Sequence, residues 1–274
     1  MTYPEKNAGL EELINIARKI RLSILDLIYR TRSPHIGPSF SIVEILVALY
    51  FRFLRASPEQ VLDPGRDRFI LSKGHSCAAL YAVLRERGFL TQEDLDGFAM
   101  NGGTLEQHPN IDMEKGIEVS TGSLGHGLSI GAGMALSGKV TAQNYRVFVL
   151  LSDGELNEGS VWEAVMFAGH HRLSNLIAMV DANKIQALGC TRDIINLEPL
   201  GRKWDSFGWH AQDVDGHNFK QIVQALDSLS PDQPNVLILH TVKGKGVSFM
   251  EHELLWHYRA PNEKEYRQAL QELK

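Results

Sequence analysis

Cysteine is scarce in this sequence. Cys77 and Cys190 are the only two in 274 residues, and neither has the spacing of a metal clip or a redox pair. That excludes a disulfide scaffold, and two free thiols fit a reducing compartment such as the cytoplasm. Positive charge is also short. Lys and Arg number 28 against 33 Asp and Glu, a formal net charge of −5, and no basic run occurs, so no nucleic-acid partner is expected. No apolar stretch is read as reaching transmembrane length, and the start Met1-Thr2-Tyr3-Pro4-Glu5-Lys6 lacks a signal-peptide pattern, so no membrane is expected. Gly-x-Gly-x-x-Gly after a strand and a phosphate loop ending Gly-Lys-Ser/Thr are both missing, which removes the common nucleotide-binding modules. There is no internal repeat or low-complexity linker, and the length suits one large α/β domain over residues 1–274.

What is present centres on Arg146 to Gln186. Val147 to Leu151 is an unbroken apolar run with β-branched members, the pattern of a strand buried on both faces of a parallel sheet. It stops at Ser152-Asp153-Gly154, which leaves a carboxylate at the carboxyl end of a central strand, the edge where open α/β sheets bind ligands. A helix follows with Val161, Ala164, Val165 and Ala168 on one face, and Ser160 with Glu163 reads as its capping box. Leu176 to Val180 gives a second buried strand with Asn183 just past its end. The β-α-β crossover makes the two strands parallel, so Asp153 and Asn183 project from one edge. A carboxylate, an amide oxygen and nearby carbonyls suit a hard cation such as magnesium, which also takes phosphate oxygens from a ligand. Taken singly, Asp and Asn are ordinary turn residues as well.

Around this unit, Leu10 to Ile28 has the periodicity of a long amphipathic helix. It breaks at Thr31-Arg32-Ser33-Pro34-His35-Ile36-Gly37-Pro38, after which Ser41 and Glu44 are expected to cap a second helix. Phe69-Ile70-Leu71 reads as a strand running into Ser72-Lys73-Gly74-His75. Ser120 to Ala135 passes from a loop into a helix so rich in Gly and Ala that something must approach its backbone closely, and the start of such a helix offers free amides to an anion or polar ligand. Thr191 to Phe207 reads as loops and a short helix, and Asn218 caps another helix. Val236 to Leu239 is a third strand, followed by the loop Thr241-Val242-Lys243-Gly244-Lys245-Gly246-Val247 and then Trp256-His257. Helices first, then strand and helix in alternation, imply an α/β fold with a mostly parallel central sheet covered on both faces. His35, His75, His108, His126 and His257 all fall in Gly- or Pro-flanked loops, where imidazole can exchange protons near pH 7.

The string Asp153-Gly154-Glu155-Leu156-Asn157-Glu158-Gly159, a helix, a strand and then Asp181-Ala182-Asn183-Lys184-Ile185-Gln186 resembles the thiamine diphosphate signature of the transketolase family, with Ser152 in place of the first Gly. The resemblance runs from about His35 to His257 and implies the family's diphosphate-binding fold. It implies that Asp153, Asn183 and the Ile185 carbonyl bind magnesium and that the Gly154 amide approaches the diphosphate. Lys73-Gly74-His75 is similar to the segment beside the diphosphate. Gly122-Ser123-Leu124 corresponds to the backbone along the cofactor rings. Ser33-Pro34-His35-Ile36-Gly37 and Gln107-His108-Pro109 resemble the segments whose histidines meet the sugar, and Trp256-His257 matches the late histidine that touches cofactor and substrate. Pro34 and Ile36 depart from the family pattern, which leaves the identity of the sugar open. His126 stands where many members have Gln, and Glu158 matches an interface carboxylate. Full-length members continue into a pyrimidine-binding domain, which supplies a glutamate that the cofactor needs, and a C-terminal domain. The expectation is therefore the N-terminal subunit of a split transketolase, with two copies of it and two of a separate C-terminal subunit, moving a two-carbon ketol unit between sugar phosphates. A specialised thiamine-dependent transferase, a ketoacid-decarboxylating component and a non-catalytic scaffold are the alternatives.

Overall fold

A strand buried on both faces needs a layer of helices on each side, and the computed structural model, which describes residues 8–274, provides both. Met1 to Lys6, read above for a leader, lie outside the described residues. The strands are β1 (Arg68–Leu71), β2 (Val147–Ser152), β3 (Leu176–Ala182), β4 (Ile185–Gln186), β5 (Gly189–Cys190), β6 (His210–Asp215) and β7 (Asn235–His240). The helices are α1 (Leu10–Thr31), α2 (Ile36–Phe40), α3 (Val43–Ala48), α4 (Cys77–Glu86), α5 (Gln92–Asp96), α6 (Gly127–Val140), α7 (Gly159–His170), α8 (Thr191–Ile194), α9 (Leu200–Ser206), α10 (Phe219–Asp227) and α11 (Glu263–Leu273). The main sheet has the order β1-β2-β3-β7-β6 and every pairing in it is parallel. Strands β4 and β5 form a separate small hairpin.

Side chains of β2 alternate between two cores, as a pleated strand requires. Phe148 and Leu150 join the core built with α1, α3 and α4, whereas Val147, Val149 and Leu151 join the core built with α6, α7 and α9. All six residues of β2 and all seven of β3 are buried. Strand β6, at one of the two sheet edges, reads His-Ala-Gln-Asp-Val-Asp and has one buried residue, Val214.

Three expectations need correction. The Ser160–Glu163 capping box does not form: α7 starts at Gly159, Ser160 donates to the Gly125 carbonyl at 2.9 Å, and Glu163 is exposed. Nor do Ser41 and Glu44 cap α3. Ser41 donates to Asp181 at 2.7 Å and Glu44 pairs with Arg21 at 2.6 Å, so buried partners from distant segments win over the local cap. Residues 36–53 are apolar and long enough to pass as a membrane span by composition, against the reading above, but 83% of that window is buried in the core.

The Gly-rich helix has a structural explanation on one face. A Cβ on Gly131 would lie 2.5 Å from a Val149 methyl, and one on Gly127 would run into Ser72, so the sheet itself is what approaches the backbone. Gly133, on the other face, has open space beside it.

Candidate active site at the carboxyl edge of the sheet

The parallel register sets Ser152 beside Asp181, so the chain leaves β2 and β3 at the same level. Asp153 then reaches across. Its Oδ1 accepts from the Gly154 amide at 2.7 Å and its Oδ2 from the Lys184 amide at 2.6 Å. Asn183 Nδ2 donates to Asp181 at 2.9 Å, and Oδ1 faces the Ile185 amide at 3.1 Å. The amide orientation is thereby fixed, with its oxygen on the side of the Ile185 turn. Asp153 and Asn183 are both buried and sit in adjoining loops, as the sequence predicts.

Asp181, which the sequence reading did not single out, is the hub of this edge. It accepts from Ser41, Lys73, Thr241 and Asn183. Burial alone would raise its pKa, yet Lys73 and the hydroxyl donors hold the carboxyl below its ordinary range. Asp153 goes the other way. Burial and then the nearby Asp181 charge push it up to about 6, against the pull of two backbone amides. Such a carboxylate gains from a cation.

Four of the five loop histidines converge. The His35 ring centroid lies 5.2 Å from that of His75, 5.1 Å from His257 and 6.4 Å from His108, and His75 lies 5.4 Å from His257. His35 takes a left-handed backbone conformation, φ 72°, at the start of α2, and its amide donates to the His257 carbonyl. Burial is the main cause that lowers His35 to about 4 and His257 to about 3, with the charge of Lys243 adding to both. His75 is lowered well below its ordinary value, first by burial and then by Lys73. His126 is exposed at the start of α6, and among the described residues no ring contact joins it to the four.

Lys243, fully buried, ties the two groups together. Its Nζ donates to the Ile185 carbonyl at 2.9 Å and lies 3.0 Å from His257 Nδ1. Burial and the charge of Lys73 lower it to about 8. A lysine inside a Lys-Gly-Lys-Gly loop carries little signal in sequence, because the same string serves as a flexible surface loop.

The remaining predicted positions fall around this centre. Gly122 presses on His108, whose ring would lie 3.1 Å from an added Cβ, and a Cβ on Gly154 would sit 2.8 Å from that of Gln186. Ser123 is exposed and Leu124 half-buried, while Glu158 is exposed beyond the loop. Glu155, missed in sequence, is buried and accepts from Ser72, Gly125 and Ser152.

The donors fit a magnesium-bound diphosphate. Among the described residues no group of three or more His, Cys, Asp or Glu side chains could hold a metal. Asp153, Asn183 and the Ile185 carbonyl offer hard oxygen donors from adjoining loops, the donor type that magnesium takes together with phosphate oxygens. An ammonium already rests on one of those donors. The Thr121 hydroxyl is buried without a hydrogen-bond partner and packs against Gly74.

Comparison with known proteins agrees. A family model described as transketolase, thiamine diphosphate binding domain, matches residues 13–273. An apulose-4-phosphate transketolase chain of Phocaeicola vulgatus, named as one subunit of its enzyme, is 39% identical over 94% of this chain and 92% of that protein. The 6-deoxy-6-sulfo-D-fructose transketolase subunit of a Clostridium species is 42% identical over 98% of each. The transketolase structure from Leishmania mexicana superimposes with a TM-score of 0.90 at 26% identity, covering 95% of this chain but only 41% of that one.

Proposed function

The chain belongs to the transketolase family through its thiamine diphosphate-binding domain, and from that premise we propose that it is the diphosphate-binding subunit of a two-chain transketolase acting on a specialised sugar phosphate. The observation that carries the reading is the convergence of four histidines beside Lys243, Asp153 and Asn183. Residues 1–274 serve as one domain. Asp153, Asn183 and the Ile185 carbonyl hold magnesium, and Gly154, His75 and Lys243 meet the diphosphate. The Gly122-Ser123-Leu124 backbone lies along the cofactor rings.

Bound thiamine diphosphate supplies a carbon able to stabilise negative charge, the hard part of ketol cleavage. The protein supplies position and proton handling. His35 and His257 are neutral at pH 7 because they are buried near two lysines. Lys243 donates to His257 Nδ1, so the proton of that ring sits on Nε2, available to a substrate hydroxyl. His35 and His108 complete a set of donors and acceptors suited to a polyol. A ketoacid would leave most of them unused.

The full-length relatives contain more than this domain, whereas the relatives named as transketolase subunits match over nearly their whole length. We therefore place a second chain with the pyrimidine-binding domain opposite this edge, with Glu158 at the interface and two copies of each chain in the cytoplasmic enzyme. The decisive assay offers apulose 4-phosphate, 6-deoxy-6-sulfofructose, fructose 6-phosphate, xylulose 5-phosphate and pyruvate as donors, with and without that partner. Ketol transfer from a sugar only with the partner is expected. Full activity of the lone chain, or turnover of pyruvate alone, would refute it.

A further inference from the structure

A second buried ionic cluster lies outside the site, at the foot of an open groove of about 660 Å³ that includes Arg21, Glu44, His217 and Gly246. Arg21 comes from α1, Glu44 from α3 and His217 from the turn before α10. The Arg21 guanidinium donates to both carboxylate oxygens of Glu44, at 2.6 and 2.8 Å, and its Nε donates to the Lys245 carbonyl at 3.0 Å. Burial alone would raise Glu44, but Arg21 and then His217 hold it at about 2, so it is anionic.

His217 has one possible tautomer here. The Val242 amide donates to its Nε2 at 2.8 Å, so that nitrogen carries no proton. Nδ1 therefore bears the hydrogen and donates to Glu44 at 2.9 Å. The relay Arg21–Glu44–His217 thus grips the chain at Val242 and again at Lys245, on either side of Lys243. This grip adds to bonds the loop already makes, from the Gly244 amide to the Gly37 carbonyl and from the His252 amide to the Lys243 carbonyl. Gly244 and Gly246 have φ of 79° and 97°, and glycine backbone of this kind has more freedom to lose than any other.

We propose that His217 is a positioning residue for cofactor binding: by accepting from the Val242 amide it fixes the loop that delivers Lys243 to the diphosphate and metal edge. The proposal rests on the functional reading above, in which Lys243 meets the diphosphate.

His217→Gln keeps an acceptor where Nε2 stands, whereas His217→Asn keeps only the donor toward Glu44. With the assembled enzyme, His217→Asn is expected to weaken the apparent affinity for thiamine diphosphate in excess magnesium by about tenfold, the effect of one lost hydrogen bond to a half-buried amide. The Gln variant stays within about threefold of wild type. Equal affinity in the Asn and Gln variants overturns the proposal. Hydrogen exchange at Val242 in the intact chain decides independently of any cofactor. Slow exchange in wild type and the Gln variant, faster in the Asn variant, supports the proposal; exchange at the rate of a free loop in wild type overturns it even if the Asn variant does not fold. A wild-type enzyme that binds no cofactor counts against the functional reading, and Val242 exchange still judges the role of His217.

Discussion

At the scale of single residues, function and stability pull against each other at Asp153. Its carboxyl, near 3.8 when unfolded, sits at about 6 in the fold. The charged form thus destabilises the protein above pH 6, by on the order of 2–3 kcal/mol. Asp153→Asn removes that charge but sets an amide hydrogen against one of two backbone donors, a loss of about 1 kcal/mol. The variant should therefore unfold in urea at no lower a midpoint than wild type at pH 7, while magnesium-dependent binding of thiamine diphosphate, followed by calorimetry, disappears. The histidines give a pH signature. His35 and His257 are lowered to about 4 and 3, from 6.5. Between those values the unfolded chain binds protons that the folded one refuses, so their effect is to lower stability as pH falls from 6.5 through 4. In a double variant, His35→Asn with His257→Gln, denaturant midpoints should vary less over that window. The histidines are legible in sequence because Gly and Pro flank each loop and the family pattern ranks them. Asp181 and His217 are not, since a buried aspartate at the end of an apolar strand and a histidine in Asp-Gly-His-Asn look like ordinary strand and turn residues until the fold brings their partners together.

At the scale of elements, the apolar runs of β2, β3 and β7 and the periodicity of α1 declare themselves, because both are set by burial. The β6 strand does not, since its exposure removes the apolar signal, and neither does α11, whose sequence is largely polar. The capping-box motif misleads at α3 and α7 for a related reason: it describes a helix alone, while Ser41, Glu44 and Ser160 find partners across the molecule. The Gly-rich helix α6 separates into two faces that a pair of substitutions can distinguish. Gly131→Ala forces a methyl against Val149 and should destabilise by about 1–3 kcal/mol in urea unfolding. Gly133→Ala meets open space and should stabilise by roughly 0.5–1 kcal/mol. Equal effects at the two positions would contradict the packing described.

At the scale of the whole molecule, this chain has a cofactor edge at the carboxyl ends of its strands and an exposed carboxylate, Glu158, next to it. If Glu158 meets the second chain, Glu158→Ala should loosen the complex by at least about tenfold in sedimentation and leave the thermal midpoint of the separate chain unchanged. A shift in that midpoint instead would mark Glu158 as an internal support. One of the two outer strands, β6, limits assembly in another way. It carries Asp213 and Asp215, both exposed. A further ribbon of the same kind added there would bring like charges together, so this border resists growth. Copies of the protein should therefore resist joining edge to edge through β6, because this border repels its own copy.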